Sequence, residues 1–248
     1  KGDDYVATSY RAAGGSAAHP AGDEALSGIN YTVKVGDPAL GWAGAPEAAP
    51  GVAVCREGCA ENEALVALAC IGNDAMIIDA RMDGKDVKLQ GMGGTVTGKT
   101  GDRVLVHFPK RIVERLCVGD RIQIRASGSG LKLPDYPDVA CLNLGPRLLK
   151  ALNPSEKGGK VRIPVARVIP GKLLGHGLGC ATGPSGDVDI QTTSAEAVKE
   201  YALDQLRLGD LVALSDTDGT QGGRWQPGAV TVAVIVHGGS RRAGRGAG

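Results

Sequence analysis

The sequence has few aromatic residues and almost no excess of charge of either sign. Its 248 residues include five Tyr, two Trp and one Phe, and 28 Lys and Arg are balanced by 27 Asp and Glu. Proteins that hold a nucleic-acid backbone need a surplus of basic residues, and those that stack bases need aromatic side chains. We therefore expect no nucleic-acid partner.

Long apolar runs and paired cysteines are also lacking. The longest mainly apolar runs, Ala64–Ile71 and Ala229–Val236, have eight residues each, whereas a membrane-spanning helix needs about 20. The six cysteines include no C-x-x-C pair, and no His or further Cys pair accompanies the closest two, Cys55 and Cys59. With no secretory signal in the sequence, we expect a cytoplasmic protein with reduced thiols and no membrane partner.

Glycine and proline are abundant, at 39 and 13 residues, and they separate short apolar segments that alternate like strands. The predicted strands are Ile29–Val35, Val52–Cys55, Ala75–Asp79, Arg103–Phe108, Arg121–Arg125, Lys160–Ile169, Leu211–Leu214 and Val230–Val236. The predicted helices are Pro109–Leu116, Pro146–Leu152 and Ala195–Leu206, the last with a capping box of Thr193 and Glu196. This pattern favours a strand-rich α+β fold with a barrel-like β core and a few short helices. We expect a flexible arm over residues 1–28 and one domain over residues 29–248.

A short internal sequence repeat suggests that this domain has two related halves. Residues 114–126 align with residues 204–216, and each segment runs from a helix end through Gly-Asp into a strand. A glycine with positive φ ends the helix, and the aspartate, Asp120 or Asp210, caps the turn. The corresponding halves would be residues 29–130 and 131–248, with chance similarity as the alternative.

Residues 93–100 match the phosphate-binding pattern G-x-x-x-x-G-K-[ST], with Lys99 at its lysine. That chemistry requires a buried strand before the loop and a helix after it. Here the preceding residues 83–90 are polar, and the following residues 101–108 alternate like a strand. We therefore expect a glycine-rich hairpin and no nucleotide cofactor.

A second glycine-rich segment, residues 175–193, concentrates polar side chains and predicts a site. Asp187 and Asp189 lie two residues apart in an extended segment, so both side chains would project to one side. Such a pair would bind a hard cation or place an acid beside a base, or else close a turn. His237 lies at the end of an apolar strand, and rigid scaffolds commonly present polar groups to a ligand at strand ends. The predicted catalytic residues are Asp189, His237 and His176, and the predicted ligand-binding residues are Asp187, Gln191 and Asp218.

Several motifs together resemble one prokaryotic family, DUF4438 (domain of unknown function). They are Val96-Thr-Gly-Lys99, Gly119-Asp120, Gly130-Leu131, Asp135-Tyr-Pro-Asp138, Asn143-Leu-Gly-Pro146, Gly186-Asp-Val-Asp-Ile-Gln-Thr192, Leu206-Arg-Leu-Gly-Asp210 and the segment from Gly228 to His237. The resemblance runs from about residue 25 to residue 248 and implies a strand-rich α+β fold with no established activity. The chain differs from the family pattern at Thr100 and Arg245, where relatives carry His.

Two classes of function stay open on this evidence. The first is a small-molecule enzyme, a hydrolase of an amide-like bond, because the Gly-Asp turn units are similar to those of the strand-rich acetamidase/formamidase proteins. Asp187, Asp189 and His237 would then supply a base or hold a divalent metal. The second class is a non-catalytic binding or assembly subunit. In either case we expect a small-molecule ligand and a homo-oligomer.

Overall fold

The computed structural model describes residues 4–7, 9–11, 25–29, 47–56, 59–81, 88–100, 103–117, 119–175 and 188–236. Over these ranges the chain forms many short strands and four α-helices, which confirms the strand-rich α+β class. None of the helices in this part of the chain is long and apolar enough to cross a membrane.

The strands match most of the segments in which apolar residues alternate. They are β1 Asp4–Ala7, β2 Ser9–Arg11, β3 Ala25–Ile29, β4 Glu47–Pro50, β5 Val52–Cys55, β6 Asp74–Asp79, β7 Gly93–Thr100, β8 Arg103–His107, β9 Arg121–Arg125, β10 Ser155–Lys157, β11 Lys160–Arg162, β12 Arg167–Pro170, β13 Leu211–Asp218 and β14 Arg224–Val234. The helices are α1 Cys59–Leu68, α2 Lys110–Val113, α3 Pro146–Leu152 and α4 Ala195–Glu200. The predicted strand Ile29–Val35 extends outside the described residues.

Seven strands form the main sheet, in the order β1-β9-β6-β7-β8-β5-β2. Every pairing within this sheet is antiparallel. Residues 1–28, interpreted from the sequence as a flexible arm, contribute the strands β1 and β2 at its two edges. The sheet is not closed between these edges, so the barrel-like core is not confirmed.

The main core lies against one face of this sheet. Burial of aliphatic side chains here stabilises the fold at about 25 cal/mol per Å² of apolar surface removed from water. Its buried residues come from β5 to β9, α1, α2 and the segments next to them, and include Leu65, Ile77, Val104, Phe108 and Ile122. The single Phe of the chain is fully enclosed in this cluster, with 1% of its surface exposed.

A smaller sheet, β12-β13-β14, carries a second core. β12 pairs with β13 in parallel and β13 with β14 in antiparallel register. Its inner face packs Ile169, Val212 and Leu214 against Leu203 and Leu206. The two parts of the chain touch at Gly98 of β7, where a Cβ atom would overlap Cγ1 of Val236. Only glycine therefore fits at this position.

Two of the predicted helices are shorter than the sequence suggested. α4 ends at Glu200, and Ala202 adopts a left-handed conformation with φ of 51° that interrupts the helix before a short 3-10 turn. Its N-cap is Ser194, whose Oγ accepts from the N–H of Ala197, and not Thr193. α2 covers only Lys110–Val113. α3 has the predicted bounds, because proline at its first position suits a helix start.

The two Gly-Asp turns have the same local geometry, as the internal sequence repeat predicted. Gly119 and Gly209 have φ of 93° and 92°. In each turn the N–H of the aspartate donates to the carbonyl of the residue three positions earlier, Cys117 or Arg207. The aspartate carboxylate accepts in return from the N–H of that same residue, at 2.7 Å in the first turn and 2.8 Å in the second. Each aspartate leads directly into a strand, β9 or β13. The predicted helix ends do not reach the turns, because α2 ends at Val113 and the 3-10 turn after α4 ends at Gln205.

These two turns provide a matched pair for a stability measurement. Asp120 is 1% exposed, and its second carboxylate oxygen also accepts from the N–H of Arg81 at 2.9 Å, whereas Asp210 is only half-buried. Removing a buried acceptor leaves N–H groups unsatisfied at about 1–3 kcal/mol. We expect Asp120→Ala to lower the free energy of unfolding by about 2 kcal/mol and Asp210→Ala by about 1 kcal/mol. Urea unfolding measures both, and equal losses would contradict the different burial of the two turns.

Candidate functional site around Lys99

Lys99 lies in a β-hairpin, as predicted, and not in a phosphate-binding loop. It belongs to β7, which continues into β8 without an intervening helix. Lys99 is directly opposite Val104 in the hairpin. Opposed residues of antiparallel strands share a face, and Val104 belongs to the main core. The side chain of Lys99 therefore starts from the core side of the sheet, and only 6% of the residue is exposed.

The buried ammonium group of Lys99 interacts with the polar side chains of Asn143 and Cys70. Its Nζ donates to Oδ1 of Asn143 at 2.5 Å. The thiol of Cys70, which is 1% exposed, interacts electrostatically with Lys99 and hydrogen-bonds the side chain of Ser129. These four residues, Lys99, Asn143, Cys70 and Ser129, are called the Lys99 cluster below. They come from one strand and three separate loops.

The segment before α3 places Asn143 in the Lys99 cluster. Asn143 has φ of 53°, a left-handed conformation that asparagine tolerates better than most residues. Its carbonyl accepts from the N–H of Ile71 at 2.7 Å, and the N–H of Gly145 donates back to the Ile71 carbonyl at 2.8 Å. A Cβ atom on Gly145 would lie 2.7 Å from that carbonyl oxygen. The loop that carries Asn143 is thus fixed against the loop that carries Cys70.

Asn73 joins the loops that carry Cys70 and Ser129. It is 2% exposed. Its Oδ1 accepts from the N–H of Cys70 at 2.8 Å and from the N–H of Ser127 at 3.2 Å. Its Nδ2 donates to the carbonyl and the hydroxyl of Ser127 at 2.8 and 3.1 Å. One amide therefore uses both of its polar atoms to hold the two loops together.

Burial decides the protonation of the Lys99 cluster. It lowers the pKa of Lys99 from 10.5 to about 8, against the smaller opposing effect of Cys70. It also raises the pKa of Cys70, although Lys99 and the Ser129 hydrogen bond act in the other direction. Both shifts favour the neutral forms. About a tenth of Lys99 is therefore neutral at pH 7, compared with less than about a thousandth of an ordinary lysine.

A neutral lysine amine is both a base and a nucleophile. Enzymes tune catalytic lysines to a pKa of about 7–8 by this kind of burial. The thiol of Cys70 is held in its protonated form, and it donates to the carbonyl of Leu68 at 3.7 Å. The reactive group that the geometry favours in the Lys99 cluster is therefore the amine and not the thiol.

Asp189 and Gln191, from the acidic site predicted in the sequence, lie on a short segment beside the second core. Asp189 is 1% exposed, and its carbonyl accepts from the N–H of Gly175 at 2.6 Å. The N–H of Gln191 donates to the carbonyl of Leu173 at 2.7 Å, so the segment is tied to the chain on both sides of Ile190. Gln191 is half-buried.

Asp218 is the last residue of β13 and caps the turn that leads to β14. Its carboxylate accepts from the N–H and the hydroxyl of Thr220 at 2.9 and 2.6 Å and pairs with Arg224 at 3.0 Å. The hydrogen bonds from Thr220, and then the charge of Arg224, lower the pKa of Asp218. The turn approaches the Asp189 segment at Gly223, where a Cβ atom would lie 3.3 Å from Val188. Asp218 therefore caps a turn that contacts the Asp189 segment through Gly223.

His176, Asp187 and His237 lie outside the described residues, so their predicted convergence with Asp189 stays a prediction. Across the described ranges, no three His, Cys, Asp or Glu side chains lie close enough together to hold a metal ion. The cysteines described with their side chains, Cys55, Cys70, Cys117 and Cys141, are present as thiols.

Comparison with known proteins identifies the family. The model of the N-terminal domain of DUF4438, a domain of unknown function, matches residues 13–150, and the model of its C-terminal domain matches residues 151–248. The chain belongs to the DUF4438 family. A solved structure titled "Crystal structure of TM1086" is 36% identical with a TM-score of 0.82, and the match covers 100% of this chain and 87% of that one. No curated protein matches the chain.

Two of the motifs that carried the family resemblance meet in the Lys99 cluster. Val96-Thr-Gly-Lys99 and Asn143-Leu-Gly-Pro146 are 44 residues apart, yet their polar side chains are directly bonded. Sequence reasoning treated Lys99 only as the lysine of a false phosphate-binding loop. The missing signal was the register of the hairpin, because Thr100 pairs with Arg103 and Lys99 therefore lies opposite Val104, an apolar residue of β8.

Proposed function

We propose that this DUF4438 protein is a small-molecule enzyme that hydrolyses an amide-like bond, with Lys99 as its base. The observation that carries the proposal is the buried amine of Lys99, whose pKa of about 8 makes it a proton acceptor near neutral pH. The amide-like bond comes from the fold-level analogy between the Gly-Asp turns and those of the acetamidase/formamidase proteins.

Lys99 and Asn143 have direct parts in this reaction. The neutral amine of Lys99 removes a proton from the attacking water, and the resulting ammonium returns one to the leaving nitrogen. The Oδ1 of Asn143 accepts from Lys99 and so holds the amine in place in both protonation states. Ser129 is exposed and Asn143 is half-buried, so the cluster reaches the surface where a substrate would enter.

A screen of small primary amides, formamides and anilides for release of ammonia or amine tests this function. We expect turnover of at least one compound, and we expect kcat/KM to rise with pH up to about 8, because the base must be neutral. Lys99→Met should reduce kcat/KM by at least about 100-fold, the usual range for loss of a general base. Lys160→Met, at an exposed position in β11, is the matched control and should leave the rate unchanged.

Turnover that survives in Lys99→Met would contradict the role of Lys99. No turnover of any compound would favour the alternative, a non-catalytic binding or assembly subunit. We also propose that the protein is cytoplasmic and forms a homo-oligomer. Light scattering of the purified protein measures its oligomeric state.

A barrel-like arrangement of the main sheet is also proposed here. β1 pairs with β9 at one edge of the strand order and β2 pairs with β5 at the other, although only one residue separates β1 from β2. These pairings support a barrel-like core in which the single segment 4–11 joins the two edges of the main sheet. An experimental structure in which residues 4–11 pair with only one of the two edges would contradict it.

A further inference from the structure

β14 is the outermost strand of the smaller sheet among the strands that the structure describes. In the order β12-β13-β14, one edge of β14 pairs with β13, and no described strand pairs with the other edge. Such an edge presents backbone N–H and C=O groups with which another strand can pair, and native proteins usually protect it with charged residues or proline. The run 229–234 of β14, Ala-Val-Thr-Val-Ala-Val, contains neither. This edge is therefore open to a further strand.

The pairing with β13 determines which residues of β14 face the free edge. At the end of this pairing, the N–H of Ile235 donates to the carbonyl of the residue that precedes β13, at 2.9 Å. Residues that bond to the partner strand alternate along an antiparallel strand, so Ala233 and Thr231 direct their N–H and C=O groups to β13. The same groups of Val230 and Val232 therefore point to the free edge.

The side chains of Val230 and Val232 form an exposed apolar ridge along this edge. They are 63% and 40% exposed. Val232 lies opposite Ala213 of β13, which lies opposite Val168 of β12, so these three side chains project from the same outer face of the sheet. Val168 is 58% exposed. An apolar stripe thus crosses the smaller sheet and ends at the free edge of β14.

We propose that β14 pairs with β14 of a second copy of this chain, antiparallel and around a two-fold axis. The edge is complementary to itself, because antiparallel pairing sets two uncharged runs of equal length side by side and matches N–H donors to C=O acceptors in both directions. With either Thr231 or Val232 on the axis, Val230 and Val232 of each copy lie opposite valines of the other. The two small sheets then form one continuous sheet of six strands, and the apolar stripe runs through both copies.

The size of this contact determines the strength of the dimer. Pairing covers about six residues on each side, whereas a stable interface has about 20–30 residues a side. We therefore expect a weak dimer whose population depends on protein concentration, with Kd above about 1 μM. The inference rests on the homo-oligomer of the proposed function and assigns a surface to it, but it does not depend on Lys99 or on amide hydrolysis.

Sedimentation equilibrium of the full chain over a range of concentrations tests the proposal. We expect an equilibrium between monomer and dimer. The double variant Val230→Lys/Val232→Lys sets like charges opposite each other with either residue on the axis, and it should raise Kd at least about tenfold. Val168→Lys, on the same apolar face but two strands from the free edge, is the matched control and should dimerise like the parent protein.

Amide hydrogen exchange measured by NMR locates the contact at single residues. With rising protein concentration, the N–H groups of Val230 and Val232 should exchange more slowly, whereas those of Thr231 and Ala233, already bonded to β13, should change little. A chain that stays monomeric at every concentration would overturn both this pairing and the proposed homo-oligomer. A dimer that persists in Val230→Lys/Val232→Lys, or that Val168→Lys weakens equally, would overturn the β14 pairing alone.

Discussion

Lys99→Met is expected to stabilise the protein at pH 7, by about 2 kcal/mol. The pKa of Lys99 falls from 10.5 to about 8 on folding, and each pKa unit corresponds to about 1.4 kcal/mol. The folded state therefore holds the ammonium at a cost of about 3 kcal/mol, which methionine removes. Loss of the hydrogen bond to Asn143, which is half-buried and open to water, offsets about 1 kcal/mol of this gain.

The sign of the pH dependence separates this cause from a simple packing effect. Below about pH 8 both the folded and the unfolded chain carry the Lys99 proton, and the full cost is present. Between about pH 8 and 10.5 the folded chain has lost that proton while the unfolded chain still holds it, so the stability of the parent protein rises. The advantage of Lys99→Met should therefore fall by about 3 kcal/mol over this interval.

Urea unfolding of both proteins at several pH values measures this difference. The raised pKa of Cys70 makes both proteins lose stability toward high pH, and most of that contribution cancels in the comparison. Lys160→Met should follow the parent protein at every pH. A difference between Lys99→Met and the parent that does not change with pH would show that burial does not control the ionisation of Lys99.

A stabilising substitution that abolishes reactivity would explain why a lysine occupies this position. Buried ammonium groups destabilise folded proteins, and they persist where chemistry requires them. The stability measurement and the reactivity measurements on Lys99→Met therefore support each other. If the variant is more stable and still hydrolyses amides, Lys99 is not the base.

Local sequence patterns predicted much of the fold correctly. β5 and β9 have the predicted bounds, because alternating β-branched residues between glycine, proline and aspartate leave little other choice. α3 was equally well marked by its proline. The Gly-Asp turns were recognisable because positive φ and a carboxylate acceptor are both local requirements.

Elements that depend on distant contacts were harder to predict. α1 was missed because its apolar residues 64–66 are consecutive, and the helical spacing that would mark one buried face is weak. The long predicted helix beginning at Ala195 stops early, because Leu203 and Leu206 turn into the second core and the left-handed Ala202 makes this possible. Tertiary packing outweighed local propensity in both cases.

The candidate site shows the same limit. The hairpin register that buries Lys99 is encoded locally, but its bond to Asn143 joins residues that are 44 positions apart. No short motif specifies that contact, and no pattern in residues 69–73 indicates that Asn73 organises two loops of the site. Sequence reasoning therefore selected the acidic segment 187–191, where polar residues are close in the sequence, and overlooked groups that only the fold brings together.

Asn73→Ala is expected to lower the free energy of unfolding by about 4 kcal/mol. The substitution removes two acceptor and two donor interactions at a position that is 2% exposed. The N–H of Cys70 is buried and would lose its partner, at about 1–3 kcal/mol, and the cavity left by the amide adds to the loss. Asn62→Ala is the matched control, because the Oδ1 of Asn62 accepts from the N–H of Arg56 in a less buried place. It should cost about 1 kcal/mol.

The same variant tests whether the loops hold Lys99 in its buried state. With Asn73 gone, the loops that carry Cys70 and Ser129 are no longer tied together, and water should reach the amine. The pKa of Lys99 should then rise from about 8 toward 10.5, which competitive acetylation as a function of pH measures. We expect Asn62→Ala to leave that pKa unchanged. An Asn73→Ala protein that is folded at low temperature and keeps the lowered pKa would show that β7 alone determines the environment of Lys99.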